Sequence, residues 1–317
     1  MKMMVDSRWF FTPEAAHGWM QSTTRMNGGA LIVAPEFMDV PVHWKGIVTQ
    51  TVALAVCLSV ASFLGFGFHG SLPQIEARCA MLGIAPVCGV QWPGHFGPDY
   101  LAINPDLYST MLLESKGVSS AGIGSKPKSF LDHKVQSVNG WAIALQAQVL
   151  AYTYFAPGAA LTARWFNNRP PEQLQGSPRG LLVIAINQLI MELRRCGHPN
   201  WAQLLDDALM AQPAPPLVAQ LVLERLRGDN AFEVQGGYII SRLQRPFAMA
   251  MSVDALQLFF DAARVARVAD DLAHAFARAL RDNHGRREIV RQELVALEGI
   301  HEVMAVSSTG LAIVQVC

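Results

Sequence analysis

Asp270, Asp271 and His274 stand within one turn of a segment with helical periodicity, so two carboxylates and an imidazole could meet a metal or act as an acid–base pair. No second ligand pair at similar spacing supports them, and a solvated helix face explains the same residues more simply. His69, Cys79, Cys88 and His95 also carry metal-ligand atoms, but their intervals are long and no compact Cys-x-x-Cys knuckle occurs. The Cys196-Gly197-His198 triplet reads better as a helix end, with Gly197 in a left-handed conformation. Glu298 and His301 straddle a further helix end at Gly299 and need not converge.

The glycine-rich stretch from Gly117 to Ser129 invites a nucleotide reading that its spacing refuses. A phosphate-binding loop needs Lys and Ser or Thr directly after its second spaced glycine, and Ile123 occupies the lysine position. Gly122-Ile123-Gly124 lacks the third glycine of the dinucleotide fingerprint. No Ser or Cys sits in a nucleophile elbow. The sequence therefore carries no catalytic motif, implies no cofactor and no metal, and points away from an enzyme.

What remains is recognition. Trp92, His95, Phe96 and Tyr100 surround Pro93 and Gly94 and form an aromatic loop suited either to local packing or to a partner. Val303, Val306, Ile313 and Val316 lie on two terminal strands that must pair or pack elsewhere, because a lone hairpin is marginal in water. Arg264, Arg267, Arg278, Arg281, Arg286, Arg287 and Arg291 make the C-terminal helices locally basic, a weak pointer to nucleic acid beside the simpler reading of a solvated face.

The elements that must position these residues are read from composition and punctuation. Hydrophobic residues make up 51% of the chain and charged residues only 16%, against roughly 25% charged in an average soluble domain. Much of the surface is thus expected to meet something other than water, either a bilayer or neighbouring subunits. Lys+Arg 25 balances Asp+Glu 25, so no global charge draws the chain to phosphate backbones or anionic lipid. The five cysteines are odd in number and scattered, which suggests a reducing compartment, cytoplasmic or virion. Asp6 and Arg8 stand where a secretory signal needs an apolar run.

Thr12-Pro13-Glu14 has the form of a helix start, predicting a helix to about Arg25. Leu31-Ile32-Val33 reads as a brief strand and Val40-Pro41-Val42 as extended chain. Ile47 to Phe68 is apolar and long enough to cross a bilayer as a helix, or to form a buried core helix or strand pair. Gly65 to Pro127 is rich in Gly and Pro and predicts loop, yet it is poor in charge, so it needs cover. Helices are predicted over Gly140 to Phe155, Ala159 to Phe166, Arg179 to Cys196, Asn200 to Ala211, Pro215 to Arg227, Ser252 to Asp282 and Arg286 to Leu297. A short strand is expected at Tyr238-Ile239-Ile240, and a terminal hairpin closes the chain.

The expectation is a mainly α protein: a loop-rich, apolar N-terminal region with short strands over residues 1–130, and a helical domain over 131–317 ending in a β-hairpin. The function expected is that of a non-enzymatic structural subunit repeated in a large assembly, such as a viral or phage shell or a secretion apparatus. Its partners would be other copies of itself or other subunits. The alternatives are a membrane protein with a single span at Ile47–Phe68 and a helical cytoplasmic domain, or an enzyme or small-molecule binder with an unfamiliar site.

Overall fold

The computed structural model describes residues 24–28, 30–83, 100–106, 109–118, 144–154, 158–168, 178–210, 232–242, 246–266 and 270–317. Within them the chain is mixed α/β, with three sheets and seven α-helices, and not the mainly α protein expected. It divides into two compact units, residues 1–73, 86–104 and 109–176 in the first and 74–85, 105–108 and 177–317 in the second.

In the first unit, β1 (Thr24–Asn27) and β2 (Ala30–Val33) form an antiparallel hairpin. Arg25 therefore lies in a strand and not at the end of a helix; residues 12–23 lie outside the described range. A 3-10 turn, Pro35–Asp39, leads into α1, Val42–Phe63. A five-stranded sheet follows in the order β3-β4-β5-β6-β7, comprising Phe68–Ser71, Tyr100–Asn104, Ser109–Val118, Ala144–Tyr154 and Thr162–Asn168. Neighbours run antiparallel except β5 and β6, which are parallel.

Three expectations are overturned here. The apolar segment Ile47–Phe68 is not one element: α1 ends at Phe63, Gly65 turns the chain at φ +91°, and Phe68 begins β3. The described part of Gly65–Pro127 is mostly strand and helix, not loop, while residues 84–99, 107–108 and 119–127 lie outside the description. Pro73 sits in the first turn of α2 (Leu72–Met81), where a missing N–H costs nothing, and Gly117 lies inside β5. The helices expected over Gly140–Phe155 and Ala159–Phe166 are strands β6 and β7. Short apolar runs do not distinguish the two states by periodicity, and pairing on both sides of β6 decides for strand.

Helix α1 lies on this sheet. Cys57 and Ala61 pack with Phe66, Ala102, Met111 and Leu113, while Val48, Val52 and Ala53 pack with Val33 and Phe37. Gln50 Nε2 donates to the Ser115 carbonyl at 3.1 Å. The closest approach is at Gly117 of β5, where a Cβ would stand 2.9 Å from Thr49 Cβ and closer still to the Thr49 carbonyl. Only glycine admits the helix backbone there.

The second unit is built around α3 (Pro178–Arg195), whose residues from Gly180 to Ile190 are all buried. Its end carries Arg194 and Arg195 in the last turn, and Gly197 at φ +80° closes a Schellman motif in which His198 N–H reaches the Leu193 carbonyl at 2.9 Å. Helix α4 (Pro199–Met210) packs on α3. A second sheet, ordered β11-β12-β10-β9-β8, is antiparallel throughout. Its strands are β8 (Phe232–Gln235), β9 (Tyr238–Arg242), β10 (Phe247–Ser252), β11 (Ile300–Val306) and β12 (Ala312–Val316).

The single helix expected from Ser252 to Asp282 is two, α5 (Val253–Val265) and α6 (Asp270–Gly285). Ser252 caps the first by accepting from Ala255 N–H at 3.1 Å. On α6, Leu272 is half exposed, while Ala273, Ala277 and Leu280 face inward. Helix α7 (Arg287–Val295) lays Val290 and Leu294 over the sheet's Tyr238, Ile240, Ala248, Ala250, Val303, Ala312 and Val314. The segment Pro215–Arg227 lies outside the described residues.

Candidate interaction surface

Helix α1, in which Lys45 is the one Asp, Glu, Lys or Arg, carries a face that the described residues leave open. Residues Ile47, Thr51, Ala55, Ser59 and Phe63 follow one another at intervals of four and form a single ridge along the helix. Ile47 is 40% exposed and Phe63 89%; Ala55 and Ser59 are exposed and Thr51 partly so. Thr51 Oγ1 donates back to the Ile47 carbonyl at 2.8 Å, which consumes its hydroxyl within the helix and leaves its methyl group outermost. Met38, Val42 and Leu64 extend the exposed apolar surface at the two ends. No Asp, Glu, Lys or Arg occurs between Lys45 and Glu76, so nothing ionic breaks the face.

The terminal strands expected to seek partners find them inside the second unit. Strand β12 pairs with β10 on one side and β11 on the other. Val303 is buried in the core, Val306 and Val316 pack against it partly buried, and Ile313 is of intermediate exposure. β11 is the sheet's edge. Register shifts at Ile300/Glu302 and Val303/Ala305 twist it, and Glu302 is exposed on it, both of which blunt edge-to-edge pairing.

Of the aromatic loop, Tyr100 begins β4 and packs partly buried beside Cys57 and Met111, whereas Trp92, His95 and Phe96 lie outside the described residues. Asp270, Asp271 and His274 all fall on α6; His274 is exposed, and the two aspartate side chains are outside the description. Of the basic stretch, Arg264, Arg281, Arg286 and Arg291 each face an acid, Asp261, Asp282, Glu293 and Glu288 in turn. Among the described residues no group of three or more His, Cys, Asp or Glu could hold a metal. The Cys79 thiol is pushed up to about 12 by burial, with Glu76 adding and Arg179 opposing, and is no nucleophile near neutrality.

Two polar constellations escaped sequence reasoning because their members are far apart in the chain. In the first, Glu192 of α3 accepts from Gln188 Nε2 at 2.8 Å, Ser307 Oγ at 3.1 Å and Thr309 Oγ1 at 2.5 Å, fastening the turn between β11 and β12. Burial raises its carboxyl above the ordinary 4.5, against the pull of Thr309, Gln188, Ser307 and Arg195. A group with a raised folded value contributes stability below its unfolded value and loses it as pH climbs through the folded one. Glu192→Gln keeps every bond if Gln188 turns its amide, so wild type is expected to lose stability relative to this variant as pH rises from 4.5. Parallel thermal melts of the two across pH test this, and a difference that shrinks with pH would contradict it.

The second constellation lines a cavity of about 450 Å³. Tyr238 donates to Glu293, whose other oxygen lies 3.8 Å from Arg286, with Ser252, Asp254 and Asn283 on the same wall. Burial and the Glu293 carboxylate raise the Tyr238 phenol, which Arg286 opposes. The Tyr238–Glu293 bond ties α7 to β9.

No protein-family model, curated protein or solved structure matches the chain.

Proposed function

We propose that the protein is a structural subunit of a multi-subunit assembly and not an enzyme, and that α1 is its principal contact. The observation that carries this is the open ridge Ile47–Phe63: an apolar helix face in water with no ionic side chain along it is unfavourable until covered. Among the described residues of the second unit, Arg264, Arg281, Arg286 and Arg291 face acids and Glu192 and Asp206 are engaged in structural bonds, which supports the same reading.

The same helix is the one described element long and apolar enough to cross a bilayer, over Trp44–Phe63, with a third of that window buried. Its packing favours the assembly. A span would have to leave the sheet at Gly117, or carry β5 with it into hydrocarbon, where strand edges go unsatisfied.

Sedimentation and native mass measurement at micromolar concentration test the reading. A discrete oligomer is the expected result; a stable soluble monomer overturns it. Retention of the protein in membranes through alkaline-carbonate extraction would instead establish the span.

A further inference from the structure

We infer that the cavity of the second unit, lined by α7, the start of α5, the end of α6 and the β8–β9 turn, binds a small molecule with two cationic groups and one carboxylate. That is the charge pattern of a free basic amino acid. The inference goes beyond the assembly reading and does not depend on it.

The cavity is built by local sequence. Arg286, Val290, Glu293 and Ala296 follow one another at intervals of four, three and three, so α7 and its two caps present them on one face. Gly236 at φ +57° and Gly237 at φ +82° form the two-residue turn between β8 and β9, a conformation that suits glycine at both positions. The Gly237 carbonyl accepts from Val253 N–H at 2.9 Å, which fixes the turn to the start of α5. With no side chain on either glycine, the turn adds no bulk to the space. At about 450 Å³ the volume falls in the range of small-molecule sites, about 300–1,000 Å³.

Three charged side chains line it, Asp254, Arg286 and Glu293. Tyr238, buried, donates to one Glu293 oxygen and holds that carboxylate in place before any ligand arrives. The other Glu293 oxygen is 3.8 Å from Arg286, too far for a hydrogen bond, so the guanidinium keeps its donors for a ligand. Asp254 has no hydrogen-bond or ion-pair partner among the described residues. Asn283 Nδ2 donates to the Thr309 carbonyl at 3.1 Å; that carbonyl only accepts, so Asn283 Oδ1 remains as a further acceptor.

The lining thus offers two carboxylates and an amide oxygen to cationic donors, and one guanidinium fork to an anion. A dicarboxylate would set like charge against Asp254 and Glu293, and a diamine would leave Arg286 facing only cations. One carboxylate with two cationic groups gives every charge an opposite partner. Arg286 can take the carboxylate through two parallel N–H bonds, while Val290 and Ala296 offer apolar contact to the methylenes between the charges. Arg286 and Glu293 side chains are 58% and 45% exposed, so solvent screens each pair and the affinity expected is millimolar.

Saturation-transfer NMR on the full chain tests this with three probes: L-lysine, cadaverine, which lacks the carboxylate, and glutarate, which lacks the cationic groups. L-lysine is expected to bind at millimolar concentration, cadaverine about tenfold more weakly and glutarate not at all. Arg286→Gln is expected to reduce L-lysine to the level of cadaverine without weakening cadaverine, whereas Asp254→Asn weakens both. Both positions are exposed, and unchanged circular dichroism checks that each variant folds. Absence of an L-lysine signal at millimolar concentration, equal binding of glutarate and L-lysine, or L-lysine binding indifferent to both variants overturns the site. Cadaverine binding as tightly as L-lysine removes the carboxylate from the ligand and overturns the assigned class. Sedimentation decides the assembly reading separately, whichever of these results is found.

Discussion

Gly117→Ala is expected to destabilise the first unit by about 3 kcal/mol, the upper end of what forced overpacking costs. The methyl group would meet the backbone of Thr49, which belongs to a helix held along its length by Val48, Val52, Ala53, Cys57 and Ala61 and so cannot yield alone. With a urea slope of about 2–3 kcal/mol per molar, the midpoint falls by about 1–1.5 M. Gly46→Ala provides the contrast within the same helix. Gly46 is exposed with nothing within 4 Å of a built Cβ, so alanine there gains about 0.5–1 kcal/mol of helix propensity. Equal effects of the two substitutions would mean that α1 does not approach β5 as described. A destabilised Gly117→Ala protein should also aggregate, since loosening α1 uncovers its inner apolar side as well as its outer one.

The second large effect concerns the ion pair between Arg78 of α2 and Asp206 of α4. Arg78 makes two bonds to the Asp206 carboxylate, donates from Nε to Asn187 Oδ1 at 2.8 Å, and shares Asp206 with Arg194 at 3.2 Å. Side-chain exposures of 13% and 17% leave little water to replace a lost partner. Asp206→Ala strands a guanidinium and is expected to cost about 3 kcal/mol, whereas replacing both members by apolar residues of similar volume costs far less. Denaturant titration of both single variants and the double variant gives the coupling; single and double variants of equal stability would rule out a compensated pair.

The pH dependence has a definite sign. Burial raises the Asp206 carboxyl, but the bonds and charges of Arg78 and Arg194 together outweigh it and hold the group below 3.8. A depressed folded value gives stability that is complete above the unfolded value and is lost as pH falls through the folded one. Wild type should therefore approach the Asp206→Asn variant in stability only in acid, below pH 3.8. This is the opposite of Glu192, whose contribution declines as pH rises.

Local signals recovered some elements and missed others for identifiable reasons. Helix α3 was legible because both arginines of its last turn and Gly197 lie adjacent in sequence, and α4 because Asn200 and its apolar run are local too. β6 was not. Ala144, Leu145, Gln146 and Ala147 are good helix formers, and what makes them a strand is a parallel ladder with β5 and an antiparallel one with β7, neither visible within a short window. From Gly65 onward glycine and proline are ambiguous signals, because Pro73 sits in the first turn of a helix and Gly117 admits the close approach of one, uses that composition does not separate from loop formation. The apolar character of α1 was plain in the sequence; which side of it stays open was not, since that depends on where the sheet and the β1–β2 hairpin cover it. The ion pair between Arg78 and Asp206 spans 128 positions, beyond any local pattern.

The strand order of the second unit bears on how the chain acquires its shape during translation. β12, late in the chain, lies between β10 and β11, so β11 has no hydrogen-bonded neighbour in the sheet until Ala312–Val316 has been synthesised. Until then the edge of β10, with Met249 and Met251 on one side and Ala248 and Ala250 on the other, stands unpaired on that side. The nascent second unit thus waits on one late segment, and a holding chaperone would find its target in that exposed edge.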